Sequence, residues 1–503
     1  MNLLDSLSTG FSVALTPENL AYVFIGCLLG TFIGVLPGLG PTSTIALLLP
    51  LTYTVPPASA IILLAGIYYG SMYGGTITSV LLRVPGEAAS VVTTFDGYQM
   101  ARQGRAGQAL SIAAIGSWVG GTISVVGLAL LAIPMAKLAL TFGPAEYTAL
   151  AALGIVLVAY LGTRSFVKSL IMACAGLLLA TVGQDPIDGS ARFTFGNLGL
   201  LSGLDIVAVA MGIFGVGELL YTVAHPTRVQ PVVQRLRKSL PSRQDLRLSR
   251  GPIARGSILG FFVGVLPGGG GLMGSLTSYA VEKRIAKDPS RFGKGAIEGV
   301  AGPETANNAS STSAFIPLLC LGIPANVVLA LIYGALLIQG ITPSPSFVTD
   351  HPDIFWGVIA SMVVGNAMLL VLNLPLVGVF VQILRVRSGV LASVAIVITL
   401  VGSYSVNNRI FDMWVVLGFG VLGYAMQWVR FEPGPLVLAF VLGALLERSF
   451  RQSMLLSQGD LTVFLTRPIS LTILIVAMAL VGTSAWRSLR PKTLEPEHHE
   501  AGV

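Results

Sequence analysis

The sequence predicts an all-α polytopic membrane protein with two inverted-topology repeats and about 12–14 membrane segments, some of them broken helices or re-entrant hairpins. Three observations predict this fold class. The chain of 503 residues is 53% hydrophobic and 11% charged, with a mean hydropathy of +0.80, and a soluble protein could not solvate such a surface. A Pro-Gly motif in apolar sequence occurs twice. Lys and Arg are concentrated in a few loops.

The repeated motif is the strongest of these observations. Gly34-Val-Leu-Pro-Gly38 recurs letter for letter as Gly264-Val-Leu-Pro-Gly268, 230 positions later. A Pro-Gly break inside a membrane segment is costly unless the freed backbone groups find partners. Two breaks at corresponding places in two halves are typical of the binding site of a transporter. The alternative is a pair of structural kinks without a ligand.

The apolar segments divide the chain into two halves. Several segments near the breaks are shorter than the roughly 20 residues that a helix needs to cross a bilayer, which predicts hairpins that enter the membrane and return. The predicted parts are an external N-terminal segment (1–19), a first half (20–224, hairpin at 37–41), a basic cytoplasmic loop (225–253), a second half (254–486, hairpin at 267–271) and a cytoplasmic tail (487–503).

The distribution of Lys and Arg predicts the orientation. The stretch 225–255 carries eight basic residues and one acid, and a second basic loop covers 282–294, so we place both in the cytoplasm. Residues 1–21 have no basic residue and are expected to be periplasmic; no cleavable signal peptide is expected there. The first break is then entered from outside and the second from the cytoplasm, which makes the repeats inverted. Arg448, Arg451 and Arg467 fall where this alternation predicts the outside.

A polar stripe is predicted in the second half. If Pro303 lies in the first turn of a helix, Glu304, Asn307, Asn308 and Ser311 follow at i, i+3, i+4 and i+7 on one face. Such a stripe at membrane depth faces protein or water. It indicates a path for a solute or an ion, although hydrogen bonding between helices is the alternative. The helix is expected to break at Leu321-Gly-Ile-Pro324.

The first half contains a weaker equivalent of that stripe. Tyr69, Tyr73 and Thr76 share a helical face, and their helix is expected to end at Val84-Pro-Gly-Glu87. That tetrapeptide aligns with Ile323-Pro-Ala-Asn326. Tyr is also common at membrane interfaces, so a single Tyr has an ordinary explanation.

The two breaks are predicted to bind an anion. Glycines let backbone N–H groups approach a ligand, and the start of the following helix favours negative charge, whereas carbonyls on the other side of a break suit Na⁺. We expect Glu304, Thr305, Thr76 and Asn326 to take part in ion coupling. The expected substrate-binding residues are Pro37, Gly38, Gly40, Pro41, Thr42, Ser43, Pro267, Gly268, Gly269, Gly270, Asn307, Asn308 and Ser311.

The sequence lacks motifs for several other functions. It has no Gly-x4-Gly-Lys-Ser/Thr loop for ATP, no Gly-x-Ser-x-Gly or His-Glu-x-x-His motif, and four His residues, two of them adjacent in the tail. We therefore expect no enzyme, no metal centre and no cofactor apart from Na⁺ as a coupling ion. An intramembrane enzyme that uses Glu304 would need a nucleophile or metal that is not evident. The net charge of +7 is explained by topology and lipid headgroups, not by nucleic acid.

Two motifs carry a family resemblance. Gly34-Val-Leu-Pro-Gly-Leu-Gly-Pro41, and Pro303-Glu-Thr-Ala-Asn-Asn-Ala309 followed by Leu321-Gly-Ile-Pro324, resemble the large membrane subunit (TctA type) of the tripartite tricarboxylate transporters. The resemblance covers about residues 15–485. The family pattern has Ala at the position of Thr305 and Gly-Ser at the positions of Ala325 and Asn326, and the second difference falls at the expected binding site.

The resemblance implies a bacterial inner-membrane permease that is driven by an ion gradient and carries carboxylates. It also implies two partners, a small four-helix membrane subunit and a periplasmic solute-binding protein. We therefore expect a secondary active transporter that imports a di- or tricarboxylate by Na⁺ or H⁺ symport, with an elevator-like motion as one possible mechanism. The alternatives are a passive channel for small anions and a scaffold for other membrane subunits.

Overall fold

The computed structural model describes residues 3–36, 40–160, 165–185, 187–225, 240–383 and 388–489. These residues are almost entirely helical, which confirms the predicted all-α class. Their α-helices in chain order are α1 (Leu3–Ala14), α2 (Pro17–Val35), α3 (Pro41–Thr52), α4 (Pro57–Leu82), α5 (Thr93–Arg102), α6 (Ala106–Ala139), α7 (Pro144–Tyr160), α8 (Phe166–Ala180), α9 (Ile206–Ala210), α10 (Gly217–Ala224), α11 (Arg243–Val265), α12 (Gly270–Ile285), α13 (Glu298–Ser313), α14 (Phe315–Leu321), α15 (Val327–Ile338), α16 (Phe347–Asp350), α17 (Pro352–Ile383), α18 (Ser388–Asn407), α19 (Ile410–Trp428), α20 (Pro433–Leu456), α21 (Val463–Thr466) and α22 (Pro468–Leu489).

Shorter elements connect these helices. A π-helical stretch, Met211–Val216, joins α9 to α10. The 3₁₀ helices of the described residues are Ala88–Val91, Leu198–Leu200 and Pro289–Arg291. The strands β1 (Gly183–Gln184) and β2 (Ala191–Arg192) form a small antiparallel hairpin between α8 and α9.

Many of the helices are apolar enough for a membrane. Seven stretches of the described residues are long and apolar enough to cross one, and six apolar helices of 10–17 residues are shorter. The predicted 12–14 segments are reached only if the shorter helices, which include α3, α7 and α8, are counted. The seven long stretches are Pro17–Val35, Pro57–Leu82, Ala106–Ala139, Ile206–Ala224, Pro352–Asn373, Ile410–Trp428 and Pro433–Leu456.

Helix α2 packs very closely against the buried helix α4. Three glycines of α2, spaced four residues apart, lie where an added Cβ would collide with a backbone carbonyl of α4. Small residues at this spacing let helix backbones approach each other in a membrane protein. The contacts are Gly26 with Leu63, Gly30 with Ile67 and Gly34 with Ser71.

Helix α11 repeats this contact on α13. Its three glycines lie 230 positions after those of α2, and the carbonyls that they face lie 239 positions after those of α4. The same packing register therefore occurs in both halves, with nine additional residues between the two helices in the second half. The contacts are Gly256 with Gly302, Gly260 with Ala306 and Gly264 with Ser310.

Helix α4 of the first half and its counterpart α13–α14 in the second half also end alike. Helix α4 ends at Arg83, which has a left-handed backbone (φ 59°), and α14 ends at Gly322, which has φ 71°. These positions are again 239 apart. A left-handed residue is a common way to end a helix, and the second half uses glycine, which adopts it without strain. The predicted break at Leu321-Gly-Ile-Pro324 is present.

Helix α13 begins earlier than the sequence predicted. It starts at Glu298, so Pro303 lies inside the helix instead of in its first turn. Pro303 is the sixth residue, and it therefore leaves the Gly299 carbonyl without the hydrogen bond that a helical N–H would have made. The polar stripe keeps its geometry, because the spacing of its residues does not depend on where the helix begins.

Part of the predicted basic loop is helical. Helix α11 begins at Arg243 and is capped by Ser242, whose side chain accepts the Asp245 N–H while Asp245 bonds back to the Ser242 N–H. Residues 226–239 of the loop lie outside the described residues. The predicted external segment likewise contains α1, which packs against α17 at Gly10 and Trp356.

Two of the three arginines that disagreed with the predicted alternation, Arg451 and Arg467, form ion pairs. Arg451 contacts Asp185, at 2.7 Å, and Glu447. Arg192 of β2 contacts the same two acids. Arg467 contacts Glu146 at the start of α7. These contacts join the β-hairpin to the end of α20, and α22 to α7. Such neutralised arginines are a weak guide to orientation.

We expect Asp185→Asn to lower the melting temperature at neutral pH. The pKa of the Asp185 carboxyl lies below its usual range, mainly because it accepts a hydrogen bond from the Ile187 backbone N–H. The charge of Arg451 lowers this pKa further. A depressed pKa contributes stability that is present at neutral pH and lost as the pH falls through the folded-state pKa. The difference in melting temperature between Asp185→Asn and wild type should therefore become smaller at acidic pH. Melting curves at several pH values test this, with Glu18→Gln as an exposed control; a gap that does not change with pH would contradict it.

Candidate functional site

Glu304 lies at the centre of a buried polar cluster. Its side chain is 1% exposed. One carboxylate oxygen accepts the Thr76 hydroxyl of α4 at 2.7 Å, and the other accepts the Thr93 hydroxyl of α5. The carboxylate therefore joins α13 of the second half to two helices of the first half. Of the predicted ion-coupling residues, Glu304 and Thr76 are brought together.

Asn307 lies between the second break and the first half. Its Nδ2 donates to Oε1 of Glu87 at 3.1 Å. Its Oδ1 faces Gly271 in the first turn of α12 and has no hydrogen-bond partner among the described residues. Ser310, one turn further along α13, donates to the Gly270 carbonyl at 3.3 Å. The polar side of α13 thus reaches the predicted tip at Pro267–Gly271.

Asn308 and Thr305 point elsewhere. Asn308 Nδ2 donates to the Ser117 hydroxyl of α6 at 2.7 Å. The Thr305 hydroxyl donates to the Ala301 carbonyl of its own helix, and its side chain packs against Gly116 and Gly120 of α6. Asn308 and Thr305 therefore lie on the α6 side of α13, whereas Glu304 and Asn307 reach α4, α5 and the loop at Glu87.

The second break contacts the loop between α14 and α15. The Gly268 N–H donates to the Ala325 carbonyl at 2.6 Å. Next to it, Asn326 caps α15 and donates through Nδ2 to the Tyr68 hydroxyl of α4 at 3.1 Å. The predicted site residue Ser311 is buried, and its hydroxyl has no hydrogen-bond partner among the described residues. This group again contains residues of both halves.

The first break is only partly described. Pro37 and Gly38 lie outside the described residues. Gly40 precedes α3 and borders open space, as does its repeat equivalent Gly270. Pro41, Thr42 and Ser43 form the first turn of α3, and the Ser43 hydroxyl donates to Glu218 of α10. An acidic residue therefore accompanies each break, Glu218 the first and Glu87 the second.

Sequence reasoning missed several of these residues. Glu218 is the only acid in the apolar stretch Ile206–Ala224, which is a signal for function that we did not use. Glu87 was noticed only as the end of a tetrapeptide, although its alignment with Asn326 marked it as equivalent. The roles of Tyr68, Thr93 and Ser117 depend on contacts with the other half and had no sequence signal.

Asp96 was also missed, and it joins the two halves. Its Oδ1 accepts the backbone N–H groups of Gly293, Gly295 and Ala296 at 2.8–2.9 Å, and its Oδ2 accepts the Tyr279 hydroxyl. Gly293 and Gly295 have positive φ angles of 80° and 100°, which glycine adopts without strain. This carboxylate fixes the loop before α13 against α5 and so helps to position Glu304.

Two small cavities lie near the polar cluster. One of about 20 Å³ is lined by Tyr73, Thr76 and Ser117, among others. A second of about 10 Å³ is lined by residues that include Tyr69 and Asn308. Each is comparable in size with a single water molecule. Among the described residues, no group of three or more His, Cys, Asp or Glu side chains could hold a metal ion.

Comparison with known sequences identifies the family. The tripartite tricarboxylate transporter TctA family matches residues 20–438. The chain belongs to this family. TctA proteins are the large subunits of tricarboxylate transporters, so the chain is a transporter subunit and a multi-pass membrane protein. The resemblance inferred from the Pro-Gly and Pro-Glu-Thr-Ala-Asn-Asn-Ala motifs is confirmed.

Two uncharacterised proteins of Agrobacterium vitis are similar to this TctA-family chain. The "uncharacterized 52.8 kDa protein in TAR-I ttuC' 3'region" is 48% identical over 492 residues, which is 98% of each chain. The "uncharacterized protein in TAR-II ttuC' 3'region" is 49% identical over 233 residues, which is 46% of this chain and 96% of the relative. No solved structure matches the chain.

Proposed function

We propose that this chain is the membrane subunit of a secondary active transporter that imports an organic di- or tricarboxylate by symport with Na⁺ or H⁺. The observation that carries the proposal is a pair of equivalent hydrogen bonds between the two halves. Asn307 donates to Glu87, and Asn326 donates to Tyr68. In the repeat register, Asn307 corresponds to Tyr68 and Asn326 to Glu87, each 239 positions later.

The same contact is therefore made twice, with the halves exchanging roles. Reciprocal contacts of this kind are what a two-fold axis between two similar units requires. The distribution of Lys and Arg gives the halves opposite orientations, which favours an axis in the membrane plane and hence inverted repeats with re-entrant hairpins. In transporters of this architecture the ligand binds near the axis, beside broken helices.

The chemistry beside the axis favours a carboxylate. The polar groups there are amides, hydroxyls and the starts of α3 and α12, all of which can donate to an oxyanion. We propose that the tips at 37–41 and 267–271 contribute these donors, with Asn307, Asn308 and Ser311. Glu304 is the proposed coupling group for Na⁺ or H⁺, and the hydroxyls of Thr76 and Thr93 hold its carboxylate. We propose that Thr305 and Asn326 also take part in ion coupling.

The family suggests the setting of this activity. We propose that the chain lies in a bacterial inner membrane with its N-terminus periplasmic and its C-terminus cytoplasmic. Its proposed partners are a small four-helix membrane subunit and a periplasmic binding protein that delivers the substrate. We propose that the broken-helix core makes an elevator-like motion. The close glycine contacts support this motion, because they hold α2 on α4 and α11 on α13 as two rigid units.

Uptake into proteoliposomes tests the proposed function. The vesicles contain this chain, its small partner and the cognate binding protein, and receive labelled di- and tricarboxylates with and without an imposed Na⁺ or proton gradient. We expect accumulation above equilibrium that disappears without the gradient. Equilibration that ignores the gradient would indicate a channel, and no flux of any carboxylate would contradict the substrate class.

A further inference from the structure

We propose that Glu87 is a protonation switch that sets the direction of the Asn307 amide and so admits a carboxylate group to the start of α12. This inference rests on the proposed function, because it assigns a proton-binding residue and a subsite to the same transport site. It concerns a residue outside the family motifs that first identified the chain.

The first step is the direction in which the amide points. Asn307 is fully buried, and its Nδ2 donates to Glu87. Its Oδ1 faces Gly271 and has no partner within the described part of the chain. A buried acceptor without a donor is energetically unfavourable, because it has lost its hydrogen bonds to water. The present arrangement therefore leaves one amide atom unsatisfied, and that atom faces the second break.

The second step is the chemistry of the place that Oδ1 faces. Helix α12 has 16 residues and begins at Gly270, where the unpaired N–H groups and the helix dipole favour an anion. Gly270 has a φ of 49°, and the space that a Cβ would occupy at this position is open. A carboxylate bound there would be repelled by an amide oxygen and attracted by an amide N–H. The amide is turned the wrong way for such a ligand.

The third step is the reason for that direction. An ionised carboxylate only accepts hydrogen bonds, so Asn307 must present its N–H groups to Glu87. A protonated Glu87 carries an O–H that can donate to Oδ1. The amide then turns about its terminal torsion, and Nδ2 faces α12. The proton comes from the aqueous phase and forms the O–H of Glu87; no other bond forms or breaks.

The surroundings of Glu87 favour this coupling. The titratable groups that face it are Glu304 on α13 and Tyr68 on α4. The 3₁₀ helix that follows contributes the Ser90 N–H, which bonds to the Glu87 side chain. From α5 comes Thr93, which is bonded to Glu304, and α12 presents Gly271 beside Ala89. A substrate carboxylate would add negative charge beside two acids, and a proton on Glu87 offsets it.

The coupling is reciprocal and confined to one half. If a proton on Glu87 strengthens carboxylate binding, bound carboxylate must strengthen proton binding by the same factor. The repeat equivalent of Glu87 is Asn326, whose amide does not titrate in this pH range. The twin contact between Asn326 and Tyr68 can therefore hold the halves together but cannot respond to pH.

The pH dependence of carboxylate binding tests the switch. The full chain in nanodiscs is titrated with citrate and with succinate at a series of pH values, comparing wild type with Glu87→Gln. Since one proton accompanies one ligand, wild-type affinity should fall about tenfold per pH unit once Glu87 ionises. The Glu87→Gln amide can donate to Asn307 Oδ1 permanently, so its affinity should follow only the titration of the probe. Infrared difference spectra should show a protonated carboxyl on ligand binding to wild type that Glu87→Gln lacks.

Glu298→Gln is the matched control. Glu298 makes an exposed ion pair with Arg291 at 3.2 Å, away from Asn307, so this variant should keep the wild-type pH dependence. A Glu87→Gln variant with wild-type pH dependence would overturn the switch, as would the absence of binding of either probe. If uptake were driven by the gradient but Glu87→Gln kept the wild-type pH dependence of binding, only the proposed switch would be contradicted. If Glu87→Gln lost the pH dependence of binding but no uptake were driven by a gradient, only the proposed transport function would be contradicted.

Discussion

Gly264→Val should strongly destabilise the folded protein. An added Cβ at Gly264 would lie 2.5 Å from the Ser310 Cα and closer still to the Ser310 carbonyl and the Ser313 hydroxyl. Backbone atoms cannot rotate away as a side-chain end can, so α11 would have to move off α13. Overpacking of a tight core typically costs about 1–3 kcal/mol and occasionally more, which is a substantial part of the roughly 5–15 kcal/mol that stabilises a domain. Detergent extraction followed by size-exclusion chromatography and a melting curve measures the loss.

The repeat provides a second variant and a control for this prediction. Gly34→Val in α2 should have the same effect, because its added Cβ would lie 2.9 Å from the Ser71 Cα. Gly418→Ala in α19 should be neutral, since no other atom lies within 4 Å of its added Cβ. If Gly264→Val were extracted and melted like Gly418→Ala, the close contact between α11 and α13 would be wrong.

The sequence was a good guide to features within one segment. Apolar runs located the helices, the duplicated Gly-Val-Leu-Pro-Gly marked the two breaks, and helical spacing placed Glu304, Asn307 and Ser311 on one face. These features depend on neighbours along the chain. Pro303 was misplaced because a proline near the start of a helix is compatible with more than one first turn.

The contacts between the halves could not be predicted in the same way. The repeat offset is 230 for α2 and α11 but 239 for α4 and α13–α14, because α12 and the loop after it are longer than α3 and its loop. An alignment at one constant offset would therefore pair the wrong residues. Asn307 with Glu87, and Asn326 with Tyr68, become equivalent only when the change of offset is known from the packing of the glycines.

Residues on the same stripe also proved to have different partners. Asn307 reaches Glu87, whereas Asn308 reaches Ser117 on α6. One residue turns a helix by about 100°, so adjacent amides of a buried helix face different neighbours. A periodic pattern gives the polar side of a helix; it does not assign which of the surrounding helices each side chain meets.

Glu304→Gln should remove gradient-driven uptake while the protein stays folded. If the carboxylate charge binds the coupling ion, a neutral side chain of the same shape cannot, and accumulation should fall about 100-fold or more, which corresponds to roughly 3 kcal/mol of lost coupling. The fold should tolerate the change. The new amide oxygen can accept from Thr93, and its N–H can donate to Thr76, whose own hydroxyl already lies 3.1 Å from the Met72 carbonyl. Labelled carboxylate uptake into proteoliposomes under a Na⁺ or proton gradient measures the effect.

Two comparisons separate coupling from stability at this position. Glu304→Ala leaves the Thr93 hydroxyl without its acceptor and opens a cavity, so it should lose both uptake and thermal stability. Glu304→Gln should lose uptake and keep a melting temperature close to wild type. Counterflow exchange of substrate, which needs no ion gradient, should survive in Glu304→Gln, because the break at Gly268–Gly270 and Asn307 remain in place. If Glu304→Gln accumulated substrate like wild type and with the same ion dependence, the coupling ion would have to bind at another group. The remaining candidates are Glu218, near the first break, and Glu87, near the second.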